Sequence, residues 1–268
     1  MTKEQERARA RRRQQKLDAR EAQRVRERAR NRQVVIVVAA VLAVVALFVF
    51  LSTQLSDDAG DPAAEPSASA STNTAASGRC KPAPEAPTSI TPVDKPDAAL
   101  AAGKTFEAVI TTNCGDITLE LDGAKAPQTV ASFMALAKAD YWADSPCHRL
   151  TTQGIFVLQC GDPLGGAGPG PGYTYGLENT PKDGSYPTGT LAMARTADPN
   201  SNSGQFFIVY DDTELPTEGG GYSIFGTVTS GLDIVEEIAA AGVSGGAGDG
   251  APATPISILK VAVTEKKA

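Results

Sequence analysis

The stretch PCHRLTTQGIFVLQCGDP, residues 146–163, holds the chain's single histidine, His148, directly beside Arg149. A histidine titrates near neutrality and is the usual residue for proton transfer. An arginine keeps its proton and presents a rigid fork of N–H donors, which suits it to stabilising a developing charge or lone pair. Neighbouring residues on a strand point to opposite faces, so one of the two is expected to face a given groove and the other to face away.

Other chemistry is poorly supported. Cys80, Cys114, Cys147 and Cys160 together with His148 could in principle bind zinc. There is no C-x-x-C pair, however, and adjacent Cys147 and His148 would diverge, so no metal site is expected. The loop PLGGAGPGPGYTYG lacks the Lys-Ser/Thr ending and the G-x-G-x-x-G spacing of phosphate-cradling loops, and its prolines remove amide donors. It reads as a surface loop.

The elements that must position His148 and Arg149 are mostly short strands. FEAVITT and DITLELD flank Asn-Cys-Gly and read as a hairpin. APQTVASFMALAKADYW reads as a helix, with Pro127 in its first turn and Val130, Phe133, Met134 and Ala137 on one buried face. CHRL and GIFVLQC read as strands separated by Thr151-Thr152-Gln153, and GTLAMART, QFFIVY, IFGTV and ISILKVAVTE as further strands. SGLDIVEEIAAAG reads as a second helix with Ile234, Val235 and Ile238 inward and a glycine stop. Many short strands with two separated helices predict an antiparallel barrel capped by helices. Trp142, the one tryptophan, is expected to be structural.

Charge divides the chain. Residues 1–33 hold thirteen Lys/Arg against five Asp/Glu, so the formal net charge of -6 hides a basic tail on an acidic remainder. The tail has no interleaved aromatic residues, so no nucleic-acid partner is expected. VVIVVAAVLAVVALFVFL, residues 34–51, is uncharged and apolar on every face. At 1.5 Å per residue it spans roughly 27 Å, the thickness of a bilayer's hydrocarbon. The Arg-rich flank places the N-terminus in the cytoplasm and the bulk outside, on a single-pass, uncleaved anchor. Residues 52–103 read as an extracytoplasmic linker, flexible and disordered where Ala/Ser/Thr-rich and stiffer where Pro-rich. Residues 104–268 form one domain. All four cysteines then lie on the oxidising side, with Cys147–Cys160 as a cross-strand bridge and Cys80–Cys114 stapling linker to hairpin.

HRL, F-V-L-Q-C-G-D-P, LAMAR, NSNSGQFFI and FGTV-x-x-G-L-D-I-V-E-E-I, in this order and spacing, resemble the cyclophilins across residues 104–266. The anchor and linker resemble those of membrane-tethered bacterial cyclophilins. The resemblance implies an eight-stranded antiparallel β-barrel capped by two α-helices. It implies a peptidyl-prolyl cis–trans isomerase that acts on proline-containing unfolded or extended polypeptides and assists the folding of exported proteins, with no cofactor. Arg149 matches the family's catalytic arginine and Gln205 the glutamine that accompanies it. Phe156, Gln159, Ala194 and Phe207 match groove residues, Phe207 forming the proline pocket. His148 is then a packing residue.

Several positions depart from the family. Val157 stands where many members have methionine, and Arg195 replaces an asparagine whose backbone holds the substrate. Leu215 occupies the place of the tryptophan that shapes the cyclosporin site, so weak cyclosporin binding at most is expected. Tyr222 falls where a groove histidine is common. The loop after HRL is longer by two residues. These changes leave an alternative, a catalytically weak module that binds Pro-containing segments. The domain is expected to be monomeric.

Overall fold

The structure, a computed structural model, describes residues 78–166 and 168–267. The basic tail, the apolar span 34–51 and the first half of the expected linker lie outside the described residues. Among the described residues no helix is long and apolar enough to cross a membrane.

The chain forms the predicted hairpin first. Strands β1 (Thr105–Thr112) and β2 (Gly115–Asp122) pair along their whole length, Thr105 with Asp122 through to Thr112 with Gly115. Their side chains alternate between buried and partly exposed, as a sheet with one covered face requires. Helix α1 (Pro127–Lys138) begins on its proline and buries Val130, Phe133 and Leu136, while Met134 is only partly buried. It has no side-chain N-cap of its own. Glu178 serves instead, accepting from the Gln128 and Thr129 amides at 3.0 and 2.8 Å.

Strands β3 (Ser145–Pro146), β4 (Arg149–Gln153) and β5 (Ile155–Cys160) follow. After them come β6 (Ser185–Tyr186), β7 (Thr190–Met193), β8 (Phe206–Val209) and β9 (Thr213–Glu214). The chain ends with β10 (Ile224–Ser230), helix α2 (Leu232–Ala241), β11 (Asp249–Gly250) and β12 (Ser257–Glu265). Helix α2 buries Ile234, Val235 and Ile238, as its spacing predicts. It starts after Gly231, at φ 83°, where an added Cβ would lie 2.4 Å from the Asp116 carbonyl oxygen.

The main sheet has ten strands, not the expected eight, in the order β11-β4-β5-β8-β7-β10-β2-β1-β12-β3. Two local events account for the difference. Residues 145–153 are interrupted at Cys147–His148, so Ser145–Pro146, just before the strand read at CHRL, pair with β12 and Arg149–Gln153 pair with β5. The two-residue strand β11, which no sequence pattern marks, pairs with β4. Because β3 and β4 are one segment, the strand order returns to where it began. A second sheet holds only β6 and β9.

Thr151-Thr152-Gln153 do not separate β4 from β5. They belong to β4, and Gly154 alone, at φ 76°, makes the turn, with Gln153 opposite Ile155. Threonine suits an extended backbone, and glycine takes a left-handed φ without steric cost.

The core lies inside the curl, where Leu119, Leu121, Leu136, Leu150, Leu158, Leu191, Phe206 and Phe225 are almost fully buried. Trp142 lies among them, 2 % exposed, and its Nε1 donates to the carbonyls of Gly161 and Gly204 at 3.2 Å each. It is structural.

The domain begins earlier than expected. Residues 78–103, read as the stiff end of a linker, lie against it. Cys80 is bonded to Cys114, and Lys81 donates its amide to the Asn113 carbonyl at 2.8 Å. The Val93 amide donates to Pro171, and Gln128 Nε2 donates to the Pro96 carbonyl. Cys80, Ile90 and Val93 pack on the core. Proline carries no amide donor but keeps its apolar ring and its carbonyl, so a Pro-rich strap can coat a surface without becoming a strand. The other bridge is Cys147–Cys160. Both pairings match those expected from the sequence.

The glycine–proline loop is also less superficial than expected. Pro163, Pro171 and Tyr175 are buried, and Gly168 donates its amide to Asp162 Oδ2 at 2.8 Å.

Candidate active site

Strand register aligns the site. Arg149 on β4 sits opposite Gln159 on β5, Gln159 sits opposite Phe207 on β8, and Phe207 sits opposite Ala192 on β7. Four adjacent strands thus place these side chains in one row on the outer face of the curl. With the period-2 alternation, Ile155, Val157 and Gln159 share that face, as do Gln205 and Phe207. Their partners Leu158 and Phe206 turn into the core.

The row borders a groove of about 360 Å³. Its floor is an apolar cluster separate from the core, built on Val157, Phe207, Val209, Leu215, Ala192 and Tyr186. Phe207 is 4 % exposed and meets Tyr222 edge to face, with ring centroids 5.8 Å apart. Tyr186 meets both rings, its centroid 6.4 Å from Phe207 and 6.3 Å from Tyr222. Its hydroxyl accepts from the Tyr222 amide at 2.7 Å and donates to the Tyr222 carbonyl at 3.0 Å. That pair of bonds fixes the loop that presents Tyr222.

A chain of polar side chains runs along one rim. Asp249 on β11 takes two hydrogen bonds of 2.7 Å from Arg149, at Nε and Nη2. Arg149 Nη1 donates to Gln159 Oε1 at 3.2 Å, and Gln159 Nε2 donates to Gln205 Oε1 at 2.8 Å. Gln205 Nε2 donates to Asp162 Oδ2 at 3.1 Å, and buried Asp162 also takes the Leu164 and Gly168 amides. A guanidinium has five N–H donors, so one on each Nη stays available to a ligand in the groove. The hydrogen bond and charge of Asp249 raise the Arg149 pKa, and those of Arg149 hold the Asp249 carboxyl below its ordinary range.

The groove contains Arg149, Gln205, Val157, Gln159, Ala194, Arg195, Phe207, Leu215 and Tyr222, all expected from the sequence. Phe156 is a correction. It lies on the opposite face of β5 from Val157, packs edge to face on Tyr210 at 6.0 Å, and leaves its place in the groove to Ile155. The alternation of β5 decides this, since counting back by twos from Gln159 gives Val157 and then Ile155.

His148 is a second correction, since it does not turn away from the groove but forms one end of its wall beside Gly166. The strand break at Cys147–His148 suspends the alternation that the expectation assumed. Burial pushes the His148 pKa down, with Arg149 acting in the same direction and Asp162 opposing. Its Nδ1 is buried with no hydrogen-bond partner among the described residues. The imidazole is therefore neutral at pH 7, and its contribution to stability is present above about pH 6.5 and declines as pH falls below that.

Asp249 and Tyr186 escaped the sequence reading. Asp249 lies 100 residues from Arg149 in a glycine-rich loop with no helical or strand pattern. Its bidentate contact makes it a positioning residue for the guanidinium. If the chain is the isomerase that the resemblance implies, Asp249→Asn is expected to lower kcat on an X–Pro peptide by roughly three- to tenfold with a small change in KM, since the fork stays present but loses its orientation. Asp249→Glu should recover part of that loss. An unchanged kcat in Asp249→Asn would remove this role.

An antiparallel curl of strands with two helices, a groove with a phenylalanine floor and an arginine at its rim define a class, and the comparisons identify it. A family profile described as "Cyclophilin type peptidyl-prolyl cis-trans isomerase/CLD" matches residues 108–263. The chain belongs to that family.

A Mycobacterium tuberculosis protein named "Probable peptidyl-prolyl cis-trans isomerase B" is 47% identical over 163 residues, covering 56% of this chain and 52% of that protein. The match thus spans about half the length of that relative. The Mycobacterium leprae protein of the same name is 40% identical over 203 residues, 70% of this chain and 67% of its own. Among solved structures, a cyclophilin-type isomerase of Cryptosporidium parvum superposes with a TM-score of 0.51 at 26% identity, covering 61% of this chain and 99% of that one. The same protein in the presence of the dipeptide Ala-Pro gives a TM-score of 0.50 at 28% identity.

Proposed function

We propose that this chain is a peptidyl-prolyl cis–trans isomerase held at the outer face of a cell membrane, where it assists the folding of exported polypeptides. One observation carries the reading: Arg149, with two free N–H donors, stands at the rim of an apolar groove floored by Phe207. Rotation about an X–Pro bond breaks no covalent bond and crosses a barrier of ~18–20 kcal/mol set by amide resonance. As the amide twists, its nitrogen lone pair localises and becomes a better acceptor. A guanidinium that donates to it binds the twisted state more tightly than the planar one, which lowers the barrier. Phe207, Leu215 and Tyr222 hold the proline ring while the preceding carbonyl rotates.

The test is a proline-isomerisation assay on the full chain with an Ala-Pro peptide, wild type beside Arg149→Ala. Turnover that is absent, or indifferent to Arg149, would remove the reading. Leu215 and Tyr222, both in the groove wall at positions that depart from the family, favour a second one, in which the groove binds Pro-containing segments with little turnover. Peptide binding without acceleration would establish it. Leu215, 8 % exposed within the groove wall, offers no indole donor, so cyclosporin should bind weakly, as a competition titration would read.

The membrane part of the proposal rests on residues 34–51 and the charge step across them. Protease added to intact cells should release the domain and leave a membrane-bound stub carrying the Arg-rich tail. A domain digested only after lysis would reverse the topology.

A further inference from the structure

Two guanidiniums line the groove, and they differ in what balances them. Arg149 is paired with Asp249. Arg195 has no carboxylate within ion-pair distance among the described residues. Its hydrogen bonds all go to backbone carbonyls: Nε to Gly221 at 2.7 Å, Nη1 to Thr196 at 2.8 Å and Nη2 to Glu218 at 3.1 Å. Carbonyl dipoles orient a cation without cancelling its charge. The guanidinium also lies over the Tyr222 ring, its Cζ 4.9 Å from the centroid. The loop closes round it at Gly219, where φ is 73° and an added Cβ would lie 3.2 Å from Nη2. Arg195 is thus held at the groove wall by three bonds and a ring, with two of its five N–H donors unused.

None of the residues lining the groove is acidic. The two carboxylates of the polar rim are committed, Asp249 to Arg149 and Asp162 to Gln205 and two backbone amides. The groove therefore carries one pre-oriented and uncompensated positive charge. We propose that Arg195 makes the groove selective for extended proline-containing segments that carry an Asp or Glu close to the proline. This rests on the isomerase reading only for the class of ligand. An ion pair at a partly exposed site changes affinity by about fivefold at low salt, and the effect shrinks as salt screens it.

The experiment uses the full chain purified in detergent and three peptides that differ only in Glu, Gln or Lys beside an Ala-Pro core. Binding and turnover are measured separately. The expected order of affinity is Glu above Gln above Lys, about fivefold per step at low salt and narrowing as salt rises. Arg195→Gln should abolish the order, and Arg195→Lys should keep most of it because the charge remains. Equal affinities for the three peptides on the unaltered protein overturn the proposal, whether or not Arg195→Gln folds. A contrast that persists in folded Arg195→Gln also overturns it, by assigning the selectivity to another charge. Charge-selective binding without turnover upholds this proposal and removes the isomerase reading instead.

Discussion

Arg149→Ala is expected to lower kcat/KM on an X–Pro peptide by roughly ten- to a thousandfold, or about 1.4–4 kcal/mol of transition-state stabilisation. The loss should fall on kcat, because the donor acts on the twisted amide more than on the planar one. Folding should change little. Arg149 is partly exposed, and Asp249, left behind with 54% of its side chain accessible, stays hydrated. Arg149→Lys should recover only part of the activity, since an ammonium keeps the charge but cannot reach Asp249, Gln159 and the substrate with one planar fork.

His148→Gln separates this mechanism from proton transfer. His148 is held neutral at the end of the groove wall, so its replacement should cost some fit but retain most turnover, and the pH–rate profile should show no step near pH 6.5. A folded His148→Gln protein without activity, beside an active Arg149→Ala, would overturn the assignment. Stopped-flow or NMR exchange measurements on the same peptide read both variants.

Phe207→Ala is expected to remove the groove floor. Burying an apolar ring against another is worth roughly 1.5–3 kcal/mol, so a proline that loses this surface should bind about ten- to a hundredfold more weakly, seen as a rise in KM. Truncating a buried phenylalanine also costs about 3–5 kcal/mol of stability. The Phe207 cluster is separate from the main core, however, so the domain should remain folded with a lowered midpoint in urea. Phe207→Leu should restore most of both quantities. Unaltered KM in a folded Phe207→Ala protein would place the proline elsewhere.

The elements with strong local patterns were legible without a structure. The first hairpin follows from two alternating runs round Asn-Cys-Gly, helix α1 from its proline start and 3.6-residue spacing, and helix α2 from its apolar stripe and glycine stop. Each is decided by neighbours a few residues away, where backbone preference and burial agree. The resemblance carried Arg149, Gln205 and Phe207 to one groove because their strands hold a fixed order. The Cys147–Cys160 pairing was also accessible, because the two cysteines lie on strands read as joined by a short loop, and Cys80–Cys114 then followed as the remaining pair.

What the chain alone left undecided depends on partners far away in sequence. Phe156 and Val157 were both carried into the groove, but neighbours on a strand face opposite ways, so Val157 and Gln159 take that face with Ile155 and Phe156 turns from it. His148 entered the groove wall because the strand breaks to change partners from β12 to β5. Asp249 reached Arg149 across 100 residues through a two-residue strand too short to leave a pattern. Residues 78–103 have the composition of a linker, yet a disulfide and a few backbone bonds hold them on the domain. Sequence determined which groups the chemistry could use. Tertiary structure decided which of them meet, because a contact between distant strands is set by register and packing that no local run of residues contains.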